Sequence, residues 1–518
     1  MMRRAVAVNS AMSALKLLAV FFLTFGFSQH AESADAPSRN PLLQAYHAEE
    51  KAENGSRKHF DTKPLTSYDL TLRQTISMTR ELWRLVDSQL TTYADDFDLE
   101  EANRARAHRY IGHATLLLES RLRAMDELLG LAEIRRKKLQ ALGARLQQQL
   151  ADLQHPPNCA QAPLLIVRFT KQDCEFLCQV RHVTLALSLG LALNRTVVLE
   201  EGAGKGQSPQ HPGWIDLFLP MSKCTSYDGV AGQNMVLESD TPLEPAIAPP
   251  ALPFDWAEEL ADLHGNAYAW FRGQMLVYLW RYRDANKRQR LDKRIEQLRR
   301  AAQTEAGNWT NFRPPLAGLD IRQLLPQKSR NEYQLQLERF FEYKHMEFQV
   351  KTDLREDPWE GPGARHVFLT TDDPGLEARL RADHPDYKII TLGPTANTLE
   401  DRVAEVFLLA STEFLICSLR STLCRSAYEL MLADNTINAD ASLQVHSVDT
   451  VYSNEGDQPR WWSLVNNFEA AGLKMGDAVM VDGFNLEGFL KVLQADGNSD
   501  GKFLPAFMLQ EELIRIQK

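Results

Sequence analysis

Between His366 and Met431 the chain alternates short β-branched segments with segments of helical periodicity. This alternation predicts βαβ units and a parallel sheet, so the predicted fold class is α/β. Ligands of such sheets bind beyond the carboxyl ends of the strands. Two polar loops fall at such ends, Asp372-Asp373 and Ser418 to Thr422, and the second opens a helix whose free N–H groups suit a phosphate. The sequence therefore predicts half of a nucleotide-binding domain; the alternative is an ordinary α/β core with polar loops.

The length and charge of the chain limit what it can be. At 518 residues it is too long for a single core, which indicates two or three domains. A net charge of −10, with 24% charged and 44% hydrophobic residues, is typical of a globular protein and excludes a disordered one. The acidic balance argues against nucleic acid as the main partner. The basic cluster from Arg281 to Arg300 contains acidic residues at helical spacing, so we interpret it as a solvated helix face.

The N-terminus predicts entry into the secretory pathway. Arg3 and Arg4 precede an apolar run from Leu17 to Phe27, and small residues follow it. This pattern is typical of a cleaved signal peptide or of a signal-anchor that keeps the arginines cytoplasmic. The apolar run is short for a membrane span, so length alone slightly favours the signal peptide.

Six cysteines fit an oxidising compartment, where an even number predicts disulfide bonds. Their spacing predicts three bridges: Cys174–Cys178, Cys417–Cys424 and Cys159–Cys224. A zinc site is the alternative for the CxxxC pair, but no CxxC or HxxxH set accompanies it. Three N-glycosylation sequons fit the same compartment: Asn54, Asn194 and Asn308.

The patterns divide the chain into five predicted segments. They are a signal-anchor or signal peptide (1–33), a flexible stem (34–69), a helical coiled-coil region (70–155), an α/β domain (156–460) and a small β-barrel of the Src-homology-3 (SH3) type (461–518). Within the α/β domain, short apolar runs predict strands at Leu164–Phe169, Thr196–Leu199 and Pro314–Ile321.

Leucines at heptad-like intervals predict one continuous helix from Asp98 to Leu153. At about 1.5 Å per residue it would be roughly 80 Å long. A helix of this kind without its own core pairs with a copy of itself or folds back on a neighbour, and we favour a homodimer.

Motifs along residues 155 to 510 resemble those of the eukaryotic α1,6-fucosyltransferases, Golgi enzymes that place fucose on the innermost GlcNAc of N-glycans. The secretory N-terminus, the helical stem, the Cys-rich α/β region and the terminal barrel occur in the same order as in that family. The matching motifs are Lys171 with Cys174-Glu-Phe-Leu-Cys178, Arg195-Thr-Val-Val-Leu-Glu200, Pro212-Gly-Trp214, Leu263-His-Gly265, Leu369 to Pro374, Cys417 to Tyr428, Met475-Gly-Asp477 and Phe503-Leu-Pro505.

The resemblance implies a GT-B-like fold, in which two Rossmann-type halves hold the donor between them. It implies GDP-fucose as donor, an N-glycan on a glycoprotein as acceptor, and a metal-independent single displacement with inversion that needs no cofactor. It also implies a Golgi membrane protein with a lumenal catalytic domain; a secreted form is the alternative. Three of the family's four disulfides are matched, and Val167 and Ala186 replace both cysteines of the fourth.

The resemblance assigns the donor site residue by residue. Arg322 matches the arginine that binds the diphosphate, and Ser421 matches a serine that contacts phosphate. Lys171, Asp372 and Asp373 are further donor-binding candidates. Three structural alternatives remain: Arg322 as a structural partner of Asp372 or Asp373, Ser421 as a helix N-cap, and the Asp pair as the start of a turn before Pro374.

The sequence departs from the family in the same pocket. Asp320 stands in place of a histidine, Gln323 in place of a second arginine, and Glu405 in place of an aspartate that faces guanine. Arg420 replaces a serine, and its guanidinium could restore the charge lost at Gln323, since it binds phosphate bidentately.

The general base is the least defined residue of the resemblance. Its loop is unlike that of the family, so Glu332 is the nearest candidate for the glutamate and Lys328 for the neighbouring lysine. Three hypotheses remain. They are a divergent fucosyltransferase, a catalytically impaired binding or scaffold protein of the same fold, and an enzyme that uses another nucleotide sugar.

Overall fold

A computed structural model describes the chain from Lys63 onward, with gaps. The described residues are 63–97, 101–169, 176–200, 217–226, 228–229, 233–238, 251–303, 316–321, 327–353, 365–393, 398–434, 441–450, 452, 460–468, 472–486, 489–494, 502–511 and 514–516. The predicted signal segment and sequons Asn54 and Asn308 lie outside them. No helix within these ranges is both long enough and apolar enough to cross a membrane.

Among the described residues, three α-helices precede the first strand: α1 (Lys63–Phe97), α2 (Glu101–Leu128) and α3 (Leu131–Gln154). The prediction of one helix from Asp98 to Leu153 is therefore wrong. The chain breaks at Gly130, whose φ of 70° is a left-handed conformation that glycine adopts without strain. The helical region also starts at Lys63, seven residues before the predicted boundary at 70.

Helices α1 and α2 form a hairpin that packs on the body of the protein. Trp83 of α1 is buried against Gly112 of α2, where a Cβ atom would lie 2.9 Å from the indole ring. Of the residues at heptad-like intervals, Met125 and Leu128 at the end of α2 are exposed and Leu153 is partly exposed. The leucines Leu139, Leu142 and Leu146 of α3 lie in the main core. These leucines are buried within the chain, so they do not provide a dimer interface.

The first α/β unit contains a three-stranded parallel sheet of order β2-β1-β3. Its strands are β1 (Leu164–Arg168), β2 (Thr196–Leu199) and β3 (Met235–Glu238), with α4 (Phe176–Ala192) between the first two. The predicted strands at 164–169 and 196–199 are confirmed. The Cys159–Cys224 bridge is present, with a Cα–Cα distance of 5.4 Å.

The described part of the connection between the two sheets contains three helices and a short strand. They are β4 (Ala251–Pro253), α5 (Phe254–Ala261), α6 (Ala267–Leu279) and α7 (Ala285–Gln303). Helix α7 carries most of the basic cluster. Its Leu291 and Leu298 are buried on one face, while charged residues such as Arg290 are exposed, in agreement with the interpretation of a solvated helix face.

The second sheet is parallel, with five strands in the order β7-β6-β5-β8-β9. If β5 is counted as strand 1 and β9 as strand 5, the strand order is 3-2-1-4-5, which is that of a doubly wound, Rossmann-type domain. Its elements are β5 (Leu316–Ile321), α8 (Gln327–Asp353), β6 (Arg365–Thr371), α9 (Leu376–Asp383), β7 (Tyr387–Ile390), α10 (Leu399–Ala410), β8 (Phe414–Cys417), α11 (Thr422–Ala433) and β9 (Val445–Ser447). The α/β prediction is confirmed for this region.

Both faces of the second sheet are covered by helices. Ala317, Leu319 and Ile321 of β5 pack under α8, and the residues that alternate with them lie on the opposite face, toward α10. Gly318 permits that approach, because a Cβ atom there would lie 2.6 Å from Thr412 Oγ1. Helix α11 packs on α6, where a Cβ at Gly273 would lie 2.0 Å from the Glu429 carbonyl oxygen. This close contact joins helix α11 of the second α/β unit to helix α6, which follows the first sheet in the chain.

A small antiparallel sheet follows, of order β13-β12-β11-β10-β14. Its strands are β10 (Arg460–Leu464), β11 (Ala478–Leu486), β12 (Phe489–Gln494), β13 (Lys502–Pro505) and β14 (Leu509–Glu511). It has a separate core around Val479, Val492 and Leu504. The glycine-punctuated strands are confirmed, and the SH3 type remains a prediction. The last strand, β15 (Ile514–Ile516), pairs with β4, outside this sheet.

Candidate active site

The candidate site lies at the topological switch point of the second sheet. The strand order reverses between β5 and β8, where the crossover helices leave on opposite sides and open a crevice at the carboxyl ends. Asp320 of β5 is paired in register with Cys417 of β8 and with Thr370 of β6. The predicted residues Asp320, Arg420 and Ser421 thus belong to one edge of one sheet.

Asp320 is the carboxylate at the centre of this edge. It is fully buried, and Thr370 Oγ1 donates a hydrogen bond of 2.9 Å to its Oδ1. Residue alternation places it on the sheet face toward α10, the helix that carries Glu405. A buried carboxylate at a switch point can accept N–H groups of a base or orient neighbouring donors.

The loop between β8 and α11 is tightly fixed. Ser421 is the N-cap of α11 and accepts from the Cys424 amide at 3.4 Å. The predicted Cys417–Cys424 disulfide joins the end of β8 to the first turn of α11. Ser421 therefore performs the N-cap role. The amides of the first turn of a helix suit an anion, and this helix starts at the carboxyl edge of the sheet.

Arg420 projects from this loop into solvent. Its side chain is 59% exposed, and Nε lies 3.9 Å from Asp449 Oδ2, a loose ion pair. Asp449 itself accepts from the hydroxyls of Ser418 and Ser447, the latter at 3.0 Å. An exposed arginine beside a helix N-terminus can move onto a phosphate without leaving a buried partner unpaired.

The two aspartates after β6 have different surroundings. Asp372 is exposed at the carboxyl end of the strand. Asp373 accepts from the Gly375 amide at 3.0 Å and forms an ion pair with Arg379, so it closes the turn before α9. The alternative prediction, that the Asp pair starts a turn before Pro374, is confirmed for Asp373. The Asp372 side chain is exposed at the carboxyl edge of the sheet.

Glu332 lies in the second turn of α8 and is paired with a histidine that the sequence did not single out. Its Oε1 is 3.0 Å from His446 Nε2 and accepts from Gln336 Nε2 at 2.8 Å. His446 is buried on β9, in register with Ile416 of β8. The carboxylate is 36% exposed, so it retains access to solvent while an imidazole and an amide orient it.

Glu405 is buried on α10 and accepts from Arg402 Nη1 at 3.1 Å. It lies seven residues after the N-cap Thr398, about 10 Å along the helix axis. The capping box formed by Thr398 and Asp401 fixes the start of α10 at the edge of the sheet.

Several predicted residues lie outside the described part of the chain. These are Lys171, Arg322 and Gln323. Lys328 falls in the first turn of α8, but its side chain is not among those described. Cys178 is disulfide-bonded, and its predicted partner Cys174 lies outside the described residues. Asn194 is exposed in a left-handed turn with φ of 51°, in a position accessible to a glycan.

The first sheet carries its own charged edge. Arg168 ends β1 and donates to Glu200 and to Glu238, each at 2.8 Å. These hydrogen bonds lower the pKa of Glu200. The cluster holds the Arg168 guanidinium between two carboxylate side chains at the carboxyl ends of the three strands, so all three side chains are held in place.

Sequence analysis missed His446, Ser447 and Asp449. All three belong to β9 or directly follow it, and β9 is only three residues long. The rule that selected Asp372, a polar residue after a strand of a parallel sheet, applies equally to Asp449. The short strand gave too weak a pattern for that rule to be applied.

Comparisons with known proteins agree with the resemblance. The chain matches the family model for alpha-(1,6)-fucosyltransferase N- and catalytic domains over residues 25–453. It is 26% identical over 410 residues to the alpha-(1,6)-fucosyltransferase of Caenorhabditis elegans, an alignment that covers 73% of this chain and 69% of the relative. It is 27% identical over 523 residues to the Drosophila melanogaster alpha-(1,6)-fucosyltransferase, covering 93% and 79%. A solved structure of an Arabidopsis thaliana FUT1 mutant in complex with GDP has a TM-score of 0.33 and 11% identity, over 55% of this chain and 71% of that one.

Proposed function

Because the chain belongs to the alpha-(1,6)-fucosyltransferase family, we propose that it transfers fucose from GDP-fucose to the innermost GlcNAc of N-glycans in α1,6 linkage. The observation that carries this proposal is the family match over residues 25–453, which includes the whole doubly wound sheet and its switch point. The chemistry is a metal-independent single displacement with inversion, and no cofactor takes part.

The donor occupies the crevice at the carboxyl edge of the second sheet, between two Rossmann-type halves arranged as in a GT-B fold. The diphosphate lies against the N-terminus of α11, with Arg420 and Arg322 as its cations. Free helix amides, the Ser421 loop and an exposed guanidinium are a suitable combination for two adjacent phosphates. Lys171 is a further cation on the side of the first sheet. The nucleoside extends toward Asp320 and Glu405, two carboxylates that can accept N–H groups of a purine.

Departure of GDP needs stabilisation of negative charge, and attack by the acceptor hydroxyl needs a base. Arg420, Arg322 and the α11 amides supply the first requirement. Glu332 supplies the second requirement: His446 orients its carboxylate, which is 36% exposed and can therefore reach a substrate hydroxyl. Lys328, four residues before Glu332 at the start of α8, is the candidate for the lysine that accompanies the base in the family.

The proposed cellular role follows the family. The enzyme resides in the Golgi lumen, anchored by its N-terminal segment or secreted after cleavage, and its acceptors are glycoproteins with N-glycans. A homodimer through the helical region is part of the proposal, on the α1–α2 hairpin instead of the leucines of α3. Nucleic acid is not a partner, given the net charge of −10.

Incubation of the purified chain with GDP-fucose and a biantennary N-glycan tests the proposal. We expect a fucosylated product whose linkage analysis gives α1,6-fucose on the innermost GlcNAc, with the rate unchanged by EDTA. GDP-mannose with the same acceptor is the control. Transfer from another nucleotide sugar but not from GDP-fucose would support the third hypothesis, while GDP binding without any transfer would support a binding or scaffold role.

A further inference from the structure

We propose that Asp449 is a positioning residue that builds the phosphate-binding loop between β8 and α11. The inference rests on the proposed donor site, which it extends by one residue that does not itself contact the donor. Its basis is a chain of hydrogen bonds that leads from the Asp449 carboxylate to the backbone amides of that loop.

Asp449 accepts from both strand ends that border the loop. Ser418 Oγ, directly after β8, donates to Oδ2, and Ser447 Oγ, at the end of β9, donates to Oδ1 at 3.0 Å. The Thr450 amide adds a bond of 2.7 Å to Oδ1. Since a carboxylate only accepts, it fixes the direction of both hydroxyl protons.

The two hydroxyls then accept from the loop. Ser418 Oγ accepts from the Arg420 amide at 3.2 Å, and Ser447 Oγ accepts from the Leu419 amide at 3.3 Å. Ser418 is buried, with 4% exposure, so water cannot easily substitute for its partner. Asp449 therefore sets the path of the backbone that carries Arg420 and the N-cap Ser421.

The same carboxylate lies beside the cation of the loop. Arg420 Nε is 3.9 Å from Asp449 Oδ2, and Arg420 is largely exposed. Charge alone would make Asp449 unfavourable for an anion, because it repels phosphate and competes for Arg420. Geometry alone makes it favourable, because it holds the loop that receives the phosphate. The two effects have opposite signs, which gives a decisive test.

Asp449→Asn removes the charge and replaces one acceptor by an amide that cannot accept, so either Ser418 or Ser447 loses its partner. We expect the Kd for GDP, measured by isothermal titration on the full chain, to increase about 10-fold, the effect of one hydrogen bond to a charged group. The KM for GDP-fucose should increase in parallel. Tighter GDP binding, or a Kd within twofold of the parent, would overturn the inference.

Two variants separate position from charge. Ser447→Ala keeps the charge of Asp449 and removes one relay hydroxyl, so weaker GDP binding is again expected. Asp434→Asn removes one negative charge at the other end of α11, about 18 Å away over 12 residues, and should leave the Kd unchanged. Thermal unfolding of each variant shows whether it is folded. If Asp449→Asn is not, Ser447→Ala decides: an unchanged Kd refutes the inference. A parent chain that binds no GDP refutes the donor site itself, and with it this role of Asp449.

Discussion

Arg420→Ser should weaken GDP binding about 30-fold while leaving the stability of the fold nearly unchanged. The Arg420 side chain is 59% exposed, and its Nε lies 3.9 Å from Asp449 Oδ2. Such a surface pair contributes about 0–1 kcal/mol to stability. A guanidinium at about 4 Å from a phosphate, with an effective dielectric constant of about 20, gains about 4 kcal/mol. Ordering the side chain costs about 1–2 kcal/mol. The difference is about 2 kcal/mol, which corresponds to about 30-fold in Kd.

The assay is titration with GDP at low and moderate salt, together with thermal unfolding. Arg365→Ser is the matched control, because Arg365 is 45% exposed and also has one acidic partner, Asp386 at 3.1 Å. It begins β6 at the amino edge, about 20 Å from the carboxyl end of that strand. We expect the control to keep its affinity for GDP. A Kd of Arg420→Ser within twofold of the parent would refute the placement of phosphate at this loop.

A second substitution tests whether Arg420 replaces the cation missing at Gln323. Arg420→Ser should abolish fucose transfer, and adding Gln323→Arg should recover part of it. The two changes should be non-additive, since groups that share one phosphate are coupled. If neither the parent nor Gln323→Arg transfers fucose to a biantennary N-glycan, the binding or scaffold hypothesis becomes the better one.

Three further predictions concern the donor site, the buried charges and the assembly. Arg322→Ala should cost about 2–4 kcal/mol of donor or transition-state stabilisation, measured as kcat/KM, and unchanged GDP affinity and turnover would contradict the family assignment. Glu119→Gln should destabilise the fold by about 3 kcal/mol in urea titrations, because Arg80, at 2.5 Å, and Arg123, at 3.1 Å, lose a buried partner. Burial alone would raise the pKa of Glu119, but these arginines lower it. The contribution of Glu119 to stability is therefore present above the usual glutamate pKa and is lost as the pH falls below it. The variant should lose this acid sensitivity, and an equal acid sensitivity in parent and variant would refute the assignment. Residues 34–518 should form a dimer in light scattering, and a monomer would exclude the helical region as a dimer interface.

Periodicity predicted the α/β region well because its central strands are short, apolar and mostly buried. The second sheet illustrates this: the run before Asp372 and the run before Ser418 became β6 and β8, and both ends reached the same edge. The order of the strands could not be read from these runs. The switch point between β5 and β8 depends on which strands pair, and that is a property of tertiary packing.

The leucine repeat was misinterpreted because an apolar stripe does not show what covers it. Leu139, Leu142 and Leu146 have the spacing of a coiled coil, yet they pack in the core with α4 and α6. Gly130 gave the available warning, since a glycine inside a helical pattern lowers the helix propensity by about 1 kcal/mol relative to alanine. Here it marks the break between α2 and α3.

Polar residues were harder to assign than apolar ones. Asp372 and Asp373 are adjacent in sequence, yet it is Asp373 that forms the ion pair with Arg379, six residues later. Glu332 was chosen by its position after Arg322, and its partner His446 is more than a hundred residues away. Partners at such separations depend on the fold, so the sequence alone could name candidates for a role but could not select among them.

The helical hairpin and the candidate site are connected through α8. Helix α8 carries Glu332 near its start and reaches the amino edge of the sheet further along, where Glu413 precedes β8. There Lys344 is buried between Glu347 and Glu413, and Tyr343 lies under the guanidinium of Arg123 from α2 at 5.7 Å.

Arg123 and Arg80 of the hairpin both pair with Glu119, so the hairpin and α8 share one buried network of charges. Removing a member would leave the others without compensation in a dry environment, which is costly. The region predicted as a helical coiled coil is therefore part of the body that holds α8 in place. A dimer, if the hairpin forms one, must use the surface of α1 and α2 that does not face α8.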